Sequence, residues 1–382
     1  MGKGNFGIKM SSMKKGPMVV ISGYYGFGNC GDEAVLLSIV ESLKQFNPDL
    51  QIVVLSGNPK ETRELHSVEA VNRWNPFMIT NKLLTCRLFI SGGGSLLQDA
   101  TSTKSLRYYL AIINIARILG KRIMIYSQGI GPLSKEKNRA RVARALNRCH
   151  TITVRDEHSA ELLRELGIMR DIHVTCDPVM ALCVENANIE EVNVDLLKIG
   201  IPGIEAENRK PLLIAAIRPW GDDSQIRPVS EFLDKRVKDG WDVLLVPAHY
   251  PADKAASDEI CHYMTEKPYL LDKCMSAREF LALTARADMV FSMRLHGLIC
   301  AYAVETPIIA LSYDPKVDAF MEQAGLEEYC LSYDSFNCEA AEVLFAELES
   351  FLQNKQKWLE ERRREMRDMA VETAKKAAQL LT

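Results

Sequence analysis

The sequence predicts an α/β protein: two Rossmann-like, doubly wound domains facing across a cleft, followed by a C-terminal helical segment. Three observations predict it. At 382 residues the chain is too long for one ordinary core. Short apolar runs rich in β-branched residues alternate with helical patterns in both halves, which is the signature of parallel strands joined by right-handed crossovers. A polar stretch with Gly-Ile-Pro-Gly at 200–203 separates the halves, and the alternation restarts after it. The expected boundaries are 17–185 for the first domain, 186–210 for the connection, 211–350 for the second domain and 351–382 for the terminal helix.

Composition narrows the function classes. Hydrophobic residues make up 47% and charged residues 25%, as in soluble globular proteins. A net charge of −3, with no basic run interleaved with aromatics, excludes nucleic acid as the expected partner. The ten cysteines are scattered, without a CxxC pair or a Cys/His cluster at ligand spacing, so no metal is expected and a reducing cytoplasmic location is the simplest account. The Gly- and Lys-rich start leads into an apolar run, 18–21, too short for a signal segment. No stretch reaches the ~18 apolar residues of a membrane span.

In the first domain, residues 18–22 read as a strand entering Gly26-Phe27-Gly28-Asn29-Cys30-Gly31, a match to G-x-G-x-x-G. Asp32 is the expected cap of the next helix, whose apolar face runs from Ala34 to Leu43. A dinucleotide site wants a carboxylate ~20 residues on, at the end of the second strand. That strand, 51–55, ends in Ser56-Gly57-Asn58, which excludes a nicotinamide cofactor. The glycines then read as a loop that lets a substrate approach backbone amides. Asp32 and Glu33 complement the helix dipole, or one of them binds sugar hydroxyls or acts as a base.

Residues 87–91 form the next strand and run into Gly92, Gly93 and Gly94, side-chain-free space beside Gln98 and Asp99. Strand 121–126 ends in Gln128-Gly129-Ile130-Gly131-Pro132. The basic helix 135–148 reads as a solvated face or a phospholipid contact. Strand 151–154 ends at Arg155-Asp156, either an internal ion pair or a second anion ligand, before helix 157–166; residues 173–178 complete this half.

The second domain opens with strand 211–217, ending at Arg218, then helix 229–237 and strand 241–246. Helices 256–264 and 277–285 precede strand 287–291 and the junction Ser292-Met293-Arg294-Leu295-His296-Gly297. In open parallel sheets, ligands collect at the carboxyl ends of strands against helix N-termini. Arg294 supplies a planar fork for a carboxylate or phosphate, His296 an imidazole able to move a proton, and Gly297 room for close backbone approach. The junction is an anion site with an acid beside it. Strand 307–313 follows, with Asp314-Pro315-Lys316 heading the next helix. From 339 onward Ala341, Leu344, Phe345 and Leu348 recur at helical spacing, and Arg362-Arg363-Arg364 reads as a solvated face or a lipid contact.

These runs, spread in order over nearly the whole chain, resemble the polysaccharide pyruvyl transferase family. The matching segments are Gly23 to Ala34, Ser91 to Asp99, Gln128 to Pro132, Val154-Arg155-Asp156, Asp177-Pro178 and Arg294 to Gly297. The resemblance is to bacterial members that attach ketal-linked pyruvate to a lipid-linked disaccharide for cell-wall polymers. It implies the GT-B arrangement, with a terminal helix crossing back to the first domain. It also implies phosphoenolpyruvate as donor and an undecaprenyl-diphosphate-linked ManNAc-GlcNAc unit or related sugar as acceptor, met at the cytosolic face of the membrane. No cofactor is implied. The resemblance points to Arg294, His296 and Lys316 as donor ligands, with Arg155 and Arg218 as further candidates; Gly93, Gly94 and Gly297 are the close-approach positions read from the residues, and the base is left between Asp32 and Glu33. A GT-B glycosyltransferase using a nucleotide sugar, and a non-catalytic sugar-phosphate sensor, fit the same sheets and glycines.

Overall fold

The computed structural model describes residues 16–382 except 101, 204, 205, 208 and 223. The Gly- and Lys-rich start, Asp223 and part of the 186–210 connection therefore lie outside the described residues. The first domain is built on one parallel sheet of β1 (Met18–Ser22), β2 (Gln51–Ser56), β3 (Glu69–Asn72), β4 (Leu88–Ser91), β5 (Gly94–Leu97), β6 (Arg122–Ile130), β7 (Thr151–Val154) and β8 (Ile172–Val174). Its order is β3-β2-β1-β4-β6-β7-β8, with β5 also on β6. Val19, Val20 and Ile21 are all buried, because helices cover both faces; a strand so placed is continuously apolar rather than alternating. The pleat divides them: Val19 and Ile21 join the core under α1 (Cys30–Phe46), and Val20 joins the other. That second core lies under α3 (Pro76–Thr85), α4 (Thr103–Ile118), α5 (Glu136–Leu146) and α6 (Glu157–Glu165), while α2 (Pro59–His66) sits beside α1.

The second sheet is β9 (Leu212–Ala216), β10 (Asp242–Leu245), β11 (Tyr269–Leu270), β12 (Met289–Ser292), β13 (Ile308–Ser312) and β14 (Cys330–Ser332), in the order β11-β10-β9-β12-β13-β14. Helices α8 (Ile226–Lys238), α9 (Lys254–Tyr263), α10 (Ala277–Arg286), α11 (Leu295–Ala303) and α12 (Pro315–Ala324) connect its strands. The connection between the domains, read from sequence only as a polar stretch, holds a helix, α7 (Ile189–Lys198), with Val192 and Leu196 buried and packed on α10. A long helix, α13 (Cys338–Gln379), starts against α8 and ends on the first domain. There the Thr175 hydroxyl donates to the Met369 carbonyl at 2.9 Å, and Arg87 donates to the Leu381 carbonyl at 2.8 Å.

In each sheet the strand order reverses once, between β1 and β4 and between β9 and β12, and such a reversal opens a crevice at the strand ends. The residues just beyond those four ends include Gly23, Gly92, Arg218 and Arg294. The glycine-rich loop of the first domain meets the second directly. Cys30 N–H donates to the Ala248 carbonyl at 3.2 Å, and Asn29 forms an antiparallel bridge with His249.

Candidate active site

The two crevices share one cavity of about 300 Å3, lined from the first domain by Asn29, Asp32, Gly94, Ser95, Tyr109 and Arg155 and from the second by Arg294, His296, Tyr313 and Lys316 among others. His296 stands on the first turn of α11. That turn is set by Ser292, whose hydroxyl oxygen accepts from Arg294 N–H at 2.9 Å and donates to the Arg294 carbonyl at 2.9 Å. A Cβ on Gly297 would come within 2.6 Å of the Ser292 hydroxyl, so this glycine makes room for the turn. The imidazole lies against Gly31 of α1, where an added Cβ would sit 2.4 Å from Nδ1. Only glycine there lets the two domains bring the ring this close.

On its other side His296 faces a residue to which the sequence assigned no role. Asp177, 2% exposed, follows β8 and caps a short 3-10 turn by accepting from Val179 N–H at 3.1 Å. Its Oδ2 lies 3.5 Å from His296 Nε2 and 3.6 Å from Arg155 Nη1. Neither Oδ2 nor Nε2 makes a hydrogen bond to another described residue. Burial alone would push the Asp177 carboxyl up, yet His296, Arg155 and Val179 N–H together hold it below the ordinary carboxylate value. It is therefore an anion that fixes the ring.

The neighbouring carboxylates Asp32 and Glu33 point in different directions. The α1 cap is Asn29, which accepts from Gly31 N–H at 3.1 Å, so the helix begins before Asp32 and the expected Asp32 cap is corrected. Glu33 is buried with both oxygens occupied: one accepts from Gly26 N–H at 2.7 Å, the other meets His66 Nε2 at 2.8 Å. It pins the glycine-rich loop rather than lining the cavity. Asp32 lines the cavity, and its pKa is pushed up to about 6, first by burial and then by Glu33 and Asp177, against the opposing pull of His296 and Lys316.

The cations divide similarly. Arg294 is clamped along one edge by Asp253, which is 0% exposed: Nε donates to Oδ2 at 2.8 Å and Nη2 to Oδ1. Arg155 donates to the Ser95 hydroxyl at 3.1 Å and packs over Gly129, where a Cβ would meet the guanidinium at 2.6 Å. Lys316 Nζ stands 3.0 Å from Asp314 Oδ2. Arg218 sits behind the cavity wall, donating to the Tyr313 hydroxyl at 2.9 Å and stacked on Trp220 and Tyr313. Of the predicted glycines, Gly94 and Gly297 line the cavity, whereas Gly93 packs where a Cβ would meet Val35 at 2.7 Å. Among the described residues, no cluster of three His, Cys, Asp or Glu is placed to hold a metal ion.

Asp253 was invisible in the sequence, being 41 positions from Arg294 and without a motif around it. Asp253→Asn keeps the shape but removes one charged acceptor from Arg294. It is expected to weaken the hold of Arg294 on an anion by about 2 kcal/mol, about thirtyfold in Kd by titration calorimetry.

A profile of polysaccharide pyruvyl transferases matches residues 29–315, a span that holds every cavity residue described above except Lys316. The chain belongs to that family. As a pyruvyl transferase it is a transferase of polysaccharide biosynthesis. No curated protein matches it significantly. Solved structures similar to this pyruvyl transferase include a putative UDP-N-acetylglucosamine 2-epimerase from Listeria monocytogenes, at 13% identity, TM-score 0.60 and 94% coverage of both chains. The Anabaena protein HepE in complex with UDP-glucose is similar at 12% identity and TM-score 0.59, covering 95% of this chain and 98% of its own. ADP-heptose LPS heptosyltransferase II of E. coli is similar at 13% identity and TM-score 0.50, covering 89% of this chain and 99% of its own. The likeness is one of fold: the GT-B-like arrangement of two facing α/β domains.

Proposed function

We propose that this pyruvyl transferase moves the pyruvyl group of phosphoenolpyruvate onto β-D-ManNAc of an undecaprenyl-diphosphate-linked ManNAc-GlcNAc unit. The product is a 4,6-ketal with release of phosphate, in secondary cell-wall polysaccharide synthesis at the inner face of the cytoplasmic membrane. The observation that carries the reading is the meeting, in one cavity, of three cations, a histidine backed by the buried Asp177, and a carboxylate with a raised pKa. Arg294 and Lys316 take the phosphate and Arg155 the donor carboxylate, each a charge-assisted contact.

A proton from His296 goes to the methylene carbon of the enol phosphate, making an oxocarbenium-like centre at the adjacent carbon. One sugar hydroxyl adds there and gives its proton to Asp32. The carbon–oxygen bond to phosphate then breaks, phosphate leaves against Arg294 and Lys316, and the second hydroxyl closes the ring. Its proton leaves with the phosphate, and the Asp32 proton returns His296 to its starting state. Electrostatic stabilisation of the departing phosphate is the largest contribution expected from the cations.

The test is incubation with phosphoenolpyruvate and a β-ManNAc-GlcNAc acceptor. Acceptor-dependent release of inorganic phosphate, with the acceptor gaining one pyruvyl ketal by mass, is the expected result. Nucleotide release from a UDP-sugar instead would assign the cavity to glycosyl transfer, and tight phosphoenolpyruvate binding without phosphate release would make it a sensor.

A further inference from the structure

The charge of the chain is distributed very unevenly. Between residues 70 and 150 there are fourteen Lys and Arg against two carboxylates, a net charge of +12 in a chain whose total is −3. Both carboxylates are engaged. Asp99 is buried and accepts from Ser134, Lys135 and Asn138, and Glu136 lies 4.0 Å from Arg139. Neither α3 nor α4 contains an acidic residue. These helices pack against each other on one face of the first sheet.

The same face exposes large apolar side chains at the entry to α3: Trp74 is 63% exposed, Phe77 81% and Met78 39%. Beside them, Lys104 and Arg107 are exposed on the first two turns of α4. The patch abuts the cavity mouth. The Trp74 ring leans on Tyr108 at 5.3 Å between centroids, and the adjacent Tyr109 lines the cavity.

We propose that this α3–α4 face docks on an anionic bilayer, with Trp74, Phe77 and Met78 in the headgroup layer and Lys104 and Arg107 on the lipid phosphates. Lys82 of α3 is already paired with Glu69 of β3, whereas Lys104 and Arg107 are exposed, and aromatic and thioether side chains beside such cations form the pattern that binds an anionic surface. Charge decides between occupants. A second copy of the chain docking through this face would press like charge against like charge, whereas anionic lipid attracts each Lys or Arg by about 1 kcal/mol, about fivefold in binding. Docked in this way, the cavity mouth lies at the headgroup plane, where the sugar of a lipid-linked acceptor stands. That last consequence rests on the proposed acceptor; lipid binding itself does not.

Vesicle flotation of the full chain tests the proposal without any substrate. The protein is expected to float with phosphatidylcholine vesicles containing phosphatidylglycerol, to stay behind with phosphatidylcholine alone, and to be released by high salt. Phe77→Ser with Met78→Ser, and Lys104→Glu with Arg107→Glu, should each weaken binding about tenfold or more. Lys60→Glu on α2, exposed on the other face of the sheet, should leave it unchanged. The melting temperature of each variant, expected unchanged, separates lost docking from lost fold. No flotation of the wild-type chain, or equal flotation of both double variants, overturns the proposal. So does a variant that converts a dimer to a monomer in size-exclusion chromatography, because the face would then join two copies.

Discussion

His296→Ala is expected to lower acceptor-dependent kcat by about a thousandfold, the usual worth of a positioned proton donor, while the melting temperature changes little. The ring fills a pocket between α1 and α11 whose shape depends on Gly31 and Gly297 more than on the imidazole itself. Its removal takes away the group that moves the proton without emptying a core. Asp177→Asn is the companion measurement. It retains size but no longer offers Nε2 a charge, so the imidazolium loses the anion that stabilises it. Asp177→Asn should therefore lower kcat by about tenfold or more in steady-state assays, with the donor KM changed less. A structural role alone would lower the melting temperature and leave kcat of the folded chain in place. Near-normal turnover of His296→Ala would remove the proton relay from the mechanism, and phosphate release would then have to rest on the cations alone.

Why His296 could be given a role from sequence, while Asp177 was noted only within the Asp177-Pro178 match and Asp253 not at all, is a matter of what each position leaves in the chain. Arg294, His296 and Gly297 sit together on one strand-to-helix junction, and parallel sheets put chemistry at such junctions. Asp177 reaches the imidazole from 119 positions away through a fold contact, and Asp253 reaches Arg294 from a loop whose residues show no periodicity. The same limit applies to the elements. β1, β4, β9 and β12 were legible because strands covered on both faces become unbroken apolar runs. In α3 the exposed side carries Phe77, Met78 and Leu84, so the contrast between buried and solvated faces that marks a helix is missing. α7 fails differently, because only Val192 and Leu196 among its ten residues are buried and the stretch reads as polar connection. Asp32 and Glu33 show how far adjacency can mislead. Consecutive residues of a helix differ by about 100°, so the same pair sends one carboxylate to the cavity and the other to His66.

Asp32→Asn should do two things that rarely occur together: raise stability at neutral pH and nearly abolish turnover. Burial first, then Glu33 and Asp177, raise the Asp32 pKa from 3.8 to about 6. The folded chain therefore holds a proton that the unfolded chain has already released between those values, and stability falls as pH rises through about 6. At about 1.36 kcal/mol per unit, keeping Asp32 ionised in the fold costs about 2 to 3 kcal/mol. Asparagine removes that charge at the same size. Its melting temperature should exceed that of the wild type at pH ~7.5, and the two should converge near pH ~4, where Asp32 is already protonated. Turnover should fall by about a hundredfold or more, because the amide takes no proton from the attacking hydroxyl. In the wild type, activity should rise with pH through about 6, and the residual activity of the variant should lack that rise. If Asp32 only holds a sugar hydroxyl, the variant will instead raise the acceptor KM and leave kcat and its pH dependence alone. A variant that is both more stable and nearly inert would mean that the fold tolerates an unfavourable anion because the reaction needs a base there.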